Sequence, residues 1–198
     1  MKKIISVFLF FIFIYACGTP EEAEKEPTIN FAEIHSLIED GDIIVKRGKG
    51  AVSNLIAKNL KERVPLSHCG IIVFENDTLY IIHSVAKELS GRDGVQTISL
   101  EEFLDDSHIG SVFVSRVKLC KTNTISKFAK EQLEKRTPFD YEFDLKSKDA
   151  IYCTELVSDV LLKSQGQDMF KQKTINGKPV LTFNSLLDTT LFNIILIK

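Results

Sequence analysis

The sequence lacks several features that would settle its class at once. It carries no block of basic residues, and its formal charge at pH 7 is −2. Without a positive patch there is no electrostatic footprint for nucleic acid. Its four cysteines and four histidines show no Cys-x-x-Cys and no His-x-x-x-His spacing, which removes the usual ligand patterns of a zinc site. We therefore expect no metal and no cofactor. No internal repeat is visible, which argues against a solenoid. No apolar run is long enough to cross a bilayer. The longest, residues 4–15, has 12 residues, against about 20 for a spanning helix.

That run stands where an export signal would stand. Lys2 and Lys3 precede it and Ala16-Cys17-Gly18 follows it, so residues 1–16 read as a signal peptide. The small residue before Cys17 resembles a bacterial lipobox, whose cysteine is lipidated and becomes the mature N-terminus. Lipid on Cys17 would anchor the protein to a bacterial membrane in the cell envelope, on the periplasmic or outer-membrane side. Residues 17–28 are acidic, bracketed by Pro20 and Pro27 and poor in apolar side chains, the composition of a tether. Loss of the leader leaves 182 residues with 23 basic against 27 acidic side chains, a formal charge of −4. Residues 29–198 suit one domain with one sizeable core.

Periodicity within that domain predicts an α+β fold. Phe31, Ile34, Leu37 and Ile38 recur at helical spacing before Gly41, and residues 42–45 read as a short strand. Val52, Leu55, Ile56 and Leu60 mark a second helix; residues 46–50, with Lys46, Arg47 and Lys49, read as a solvated turn. Residues 69–75 and 78–85 read as strands joined at Asn76-Asp77, and 95–98 and 111–118 as two more. Ser99 and Glu102 form a capping-box pattern. Ile125, Phe128, Ala129 and Leu133 give another helix, and Leu156, Val157, Val160 and Leu161 another. Asn184 caps a helix running to Leu191, before a last strand at 193–197.

Chemistry concentrates at two points. Cys153 stands where an approach segment turns into the helix of Leu156 and Val157, and a helix N-terminus favours the reactive thiolate. His68 opens the strand Cys69-Gly70-Ile71-Ile72-Val73 and supplies an imidazole. Taken alone, each residue type more often serves a packed core than catalysis. A two-residue loop at Asn76-Asp77 pairs Glu75 with Thr78, puts Gly70 opposite His83 and makes His68 its diagonal neighbour on the same face. His83 could then orient His68. Cysteine arithmetic keeps a free thiol in view. With Cys17 lipidated, Cys69, Cys120 and Cys153 cannot all pair within one chain. A Cys69–Cys120 disulfide and a buried Cys69 thiol both stay open. Tyr141 and Tyr152 either line a substrate pocket or pack as aromatics. Asp42 either helps the site or is an exposed strand-start carboxylate. Glu88 and Glu155 have no evident partner.

Taken in order, Gly41-Asp42-Ile43-Ile44, Ser67-His68-Cys69-Gly70-Ile71-Ile72-Val73, Pro138-Phe139-Asp140-Tyr141-Glu142-Phe143-Asp144 and Ile151-Tyr152-Cys153-Thr154-Glu155-Leu156-Val157 resemble the permuted papain-like amidases of the YiiX/YaeF type, within the NlpC-like cysteine peptidase superfamily. The resemblance runs from about Gly41 to Leu162. It implies an antiparallel sheet or small barrel packed against helices, with the nucleophile at a helix N-terminus. It implies Cys153 as nucleophile and His68 as base; an enzyme reading needs the two to meet in a cleft open to solvent. The third polar position falls on His83, where many relatives carry an acidic residue.

Three functions follow as expectations. The first is a thiol hydrolase cutting an amide in a peptide-like, cell-wall or other small substrate. The second is an acyltransferase or lipid-acyl hydrolase of the lecithin retinol acyltransferase type, acting on an acyl-containing substrate. The third is a non-catalytic binding lipoprotein that has kept the fold.

Overall fold

The computed structural model describes residues 31–76, 78–118, 122–147 and 149–197. The leader, Cys17, the tether, the turn residue Asp77 and Cys120 lie outside the described residues. The elements run α1 (Phe31–Leu37), β1 (Ile43–Gly48), α2 (Ala51–Leu60), β2 (His68–Glu75), β3 (Thr78–Val85), α3 (Lys87–Ser90), β4 (Gly94–Ser99), α4 (Leu100–Asp105), β5 (Ser107–Val117), α5 (Thr122–Lys135), α6 (Cys153–Gln165), β6 (Gln172–Ile175), β7 (Lys178–Leu181), a 3₁₀ turn (Phe183–Leu187) and β8 (Phe192–Ile197). Six strands form one antiparallel sheet in the order β4-β3-β2-β1-β5-β8. Among the described residues, no helix is long and apolar enough to cross a membrane.

Alternation along the strands splits the core in two. Ile43, Val45, Cys69, Ile71, Val73 and Ile82 point to one face, where Ile125 and Ala129 of α5 and Leu156, Val157, Val160 and Leu161 of α6 cover them. Ile44, Ile72, Ile81, Val112 and Val114 point to the other face, beneath Ile34 of α1 and Leu100, Phe103 and Leu104 of α4. Leu156 and Leu161 keep no exposed surface; burial of each contributes about 1.5–3 kcal/mol. α6 holds its apolar face at helical spacing without an internal Gly or Pro. It stops at Gly166, whose φ of +73° suits the left-handed cap and whose N–H reaches the Leu162 carbonyl.

The local signals hold where they rest on backbone hydrogen bonding. Ser99 and Glu102 close a full capping box at the start of α4. Glu75 pairs with Thr78 and Ile71 with Ile82, the register a two-residue loop demands. Two expectations fail. Residues 46–48 are not a solvated turn but the end of β1, and Lys46 is only 4% exposed. Residues 184–191 are not a helix: the 3₁₀ turn ends at Leu187, and Asp188 then caps the turn into β8 by accepting from Thr190.

Candidate active site

The chain enters α6 fully extended. Tyr152, at the cap position, has φ −96° and ψ 174° and gives no side-chain cap. The first bond closing the helix runs from the Leu156 N–H to the Tyr152 carbonyl, 2.9 Å. The earlier N–H groups have no carbonyl within the helix, so the positive end of the helix dipole is directed at the first residue, Cys153. The approach is pinned from three sides. Ile151 N–H donates to the Pro138 carbonyl at 2.8 Å. The Ser84 hydroxyl donates to the Ile151 carbonyl at 2.6 Å. The Tyr152 hydroxyl accepts from the Leu181 N–H at 3.3 Å. Ser84 directly follows His83, so the strand bearing that imidazole also positions the segment bearing the thiol.

The two imidazoles meet as the hairpin register requires. His68 Nε2 lies 2.8 Å from His83 Nδ1, which leaves His68 Nδ1 for a sulfur partner. Gly70 makes the approach possible. A β-carbon there would sit 2.5 Å from the Ile81 side chain, 2.9 Å from the Ile82 carbonyl and 3.2 Å from the His83 β-carbon. His83 is 4% exposed. Burial, then the charges of His68, Lys46 and Arg92, push its pKa well below the ordinary 6.5. A neutral His83 can accept through Nδ1 and so fix the orientation of His68.

Cys153 and Cys69 are both free thiols, and they share one buried cluster between β2 and α6. The Cys153 thiol is held well below the ordinary cysteine value. A hydrogen bond from the Cys69 thiol is the largest cause; burial opposes it, and the His68 ring and the Cys69 backbone N–H add to it. Burial pushes the Cys69 thiol the other way, upward, and its contact with Cys153 adds to that rise. Cys69 therefore stays protonated as a donor while Cys153 takes the negative charge. The alternative of a Cys69–Cys120 disulfide is set aside, because Cys69 is a free thiol packed against the start of α6.

Two further residues shape the site, and no single-position signal marks either. The Lys46 ammonium donates to the Phe103 carbonyl at 2.7 Å and to Asp106 Oδ2 at 3.2 Å. It lies 4.3 Å from the centre of the Phe103 ring. That ring packs 5.6 Å from His68 and 6.4 Å from His83. Burial lowers the Lys46 pKa, with Asp106 countering it. Strand parity puts Lys46 on the face of Ile44, and β1 pairs it with His68. Its burial depends on α4 lying across it.

The other expected site residues fall elsewhere. Asp42 is a buried structural carboxylate, not an exposed or substrate-facing one. It has no exposed surface, accepts from Arg116 Nε and Nη2 at 2.8 Å each, and accepts from the Glu39 N–H at 2.8 Å. Tyr141 is half exposed, its hydroxyl tied to Asp93, Glu88 and the Lys87 N–H. Tyr152 is buried against Phe143, ring centres 5.2 Å apart, and burial pushes its pKa up. Glu88 gains Tyr141 as partner, and Glu155 is buried in the first turn of α6.

The open cleft is corrected. Cys153 is only 9% exposed, because its sulfur packs with Cys69 between sheet and helix; His68 is the half-buried, solvent-facing half of the pair. Depressions of about 410 and 600 Å³ lie elsewhere, lined respectively by α5 side chains and by residues around Arg92 and Gln96. Among the described residues, no group of three or more His, Cys, Asp or Glu side chains is placed to hold a metal ion.

A thiol at a helix start beside an imidazole on an antiparallel strand is the arrangement of papain-like cysteine hydrolases, here with the histidine strand ahead of the cysteine helix. The chain belongs to the permuted papain-like amidase family of the YaeF/YiiX type, whose family model matches residues 37–187. Its fold is similar to that of yiiX from Escherichia coli O157:H7, described as a metalloprotein. The TM-score is 0.66 at 21% identity, over 81% of this chain and 97% of that one. No curated protein matches the chain in sequence.

Proposed function

We propose that the protein is a thiol hydrolase that cuts an amide in a peptide-like substrate of the cell envelope, held to the membrane by lipid on Cys17. The observation that carries this reading is the 2.8 Å contact between His68 Nε2 and His83 Nδ1. It leaves His68 Nδ1 to serve a sulfur whose pKa is already depressed. In the reaction, the Cys153 thiolate adds to the substrate carbonyl. The backbone N–H groups at the start of α6 stabilise the oxyanion. His68 gives its proton to the leaving amine, and a thioester remains. Water deprotonated by His68 then adds to the thioester, releasing the acid and restoring the thiol. Substrate would arrive from the side of the partly exposed His68 ring.

One observation favours the second reading, hydrolysis or transfer of a lipid acyl chain. Phe143 is 40% exposed and packs on Tyr152, the residue before the nucleophile, which offers an apolar surface beside the thiol. Trapping the acyl group on Cys153 from a cell-envelope extract and weighing it separates the two. A peptidyl mass supports the amidase and a fatty-acyl mass the acyl enzyme; no adduct on Cys153 contradicts both. The anchor has its own test: metabolic fatty-acid labelling should disappear in Cys17→Ser, and labelling that persists overturns the lipobox.

A further inference from the structure

The catalytic proposal leaves one nucleophilic side chain without a chemical step. Cys69 has no exposed surface and projects from β2 on the face covered by α6, in the same buried cluster as Cys153. Its thiol and its backbone N–H both favour the thiolate form of Cys153. Residue 69 follows His68 directly, so the strand that presents the base on one face presents a second thiol on the other. Two free thiols in one buried cluster, one on the strand and one at the start of the helix that covers it, make up the attacking and resolving pair of a reversible disulfide.

We propose that Cys153 and Cys69 form a peroxide-driven disulfide that reversibly switches off the site. The inference rests on Cys153 being the reactive thiol of the proposed function, and is independent of which carbonyl it attacks. In the first step the Cys153 thiolate attacks one oxygen of hydrogen peroxide. An S–O bond forms, the O–O bond breaks, and hydroxide leaves and is protonated to water. In the second step the Cys69 sulfur attacks the Cys153 sulfenic sulfur. The S–S bond forms, the S–O bond breaks, and the departing hydroxide takes the Cys69 proton as a second water. Overall two thiols lose two electrons and one peroxide gains them. A thiol donor reverses the change by exchange. Without the resolving thiol, Cys153 would continue to the irreversible sulfinic acid.

The test uses the full chain treated with hydrogen peroxide, then digested without reductant and mapped by mass spectrometry. The expected result is a cross-linked pair of peptides carrying Cys69 and Cys153, lighter by two hydrogens and separated by dithiothreitol. Cys120→Ser should leave this product unchanged. In Cys69→Ser, dimedone should trap a sulfenic adduct on Cys153 that the wild type shows only transiently, and sulfinic acid should then accumulate. Wild-type protein that carries sulfinic acid on Cys153 while Cys69 still alkylates after denaturation overturns the proposal, as does a disulfide from Cys69 to Cys120. Alkylation of Cys153 before oxidation reads the proposed nucleophile separately. A fast Cys153 with no disulfide sinks the switch alone, and a slow Cys153 sinks the proposed function.

Discussion

The two faces of the sheet are both buried and chemically unequal. Under α5 and α6, the strands offer Ile, Val, one thiol in the same cluster as Cys153 and the hydroxyls of Ser84 and Ser115, each donating to a backbone carbonyl. Under α1 and α4, polar groups sit among the Ile and Val side chains: Asp42 with Arg116, Lys46 with Phe103 and Asp106, and the His68–His83 pair. Alternation along β1 and β2 produces both faces at once. It puts Cys69, the neighbour of Cys153, on one side and His68, the proposed base, on the other. His68 is the first residue of β2, at the sheet's end, where groups from both faces bear on the Cys153 thiol.

If the polar face is a set of paired buried charges, removing one partner should be costly there. Arg116→Met strands the fully buried Asp42 carboxylate, and we expect a loss of about 3–5 kcal/mol in denaturant unfolding, with Cys153 alkylation unchanged below the transition. A loss under about 1 kcal/mol, the range of surface pairs, would make this face no different from the exterior. Gly70→Ala acts at the seam between the imidazoles. The added methyl meets Ile81 at 2.5 Å, so we expect about 1–3 kcal/mol of destabilisation from overpacking and slower Cys153 alkylation as His68 loses its support. A variant of normal stability and unchanged reactivity would show that the close approach has no function.

The smallest effect is a slope with pH. His83 is held neutral in the fold with its pKa below 6.5, whereas the unfolded chain takes up a proton near 6.5. A depressed folded value means the contribution is present above that pH and is lost as pH falls. Stability should therefore drop below pH 6.5, by up to about 1.4 kcal/mol per pH unit for one proton. His83→Asn should flatten this slope in urea titrations between pH 7 and 5; an unaltered slope assigns it to other groups.

Much of this geometry could be read from the chain where a local rule fixed it. A two-residue loop sets a register, and the register carries His68 to His83. The signals that escaped depend on distant partners. Lys46 reads as solvated because lysine is seldom buried, and only the arrival of α4 supplies Phe103, its ring and Asp106. The contact of Cys69 with Cys153 requires knowing where α6 starts against β2, which no periodicity gives. The β6–β7 hairpin carries only one local signal. Asn176-Gly177, with φ of +50° and +81°, is a strong turn signal, but the polar strands around it do not alternate. The last predicted helix shortened to a 3₁₀ turn because Asn184 is spent on Glu62 and Val64, reaching across to the residues after α2.

The central claim is that Cys153 is a thiolate stabilised by His68 and Cys69, and its rate of alkylation by iodoacetamide as a function of pH tests it most directly. The account predicts that Cys153 reacts through an inflection well below the ordinary 9.0, roughly tenfold or more faster at neutral pH than an ordinary thiol, and that His68→Ala moves the inflection upward. A Cys153 that no reagent reaches in the folded protein, or whose inflection lies at the ordinary value whether or not His68 is present, would contradict it.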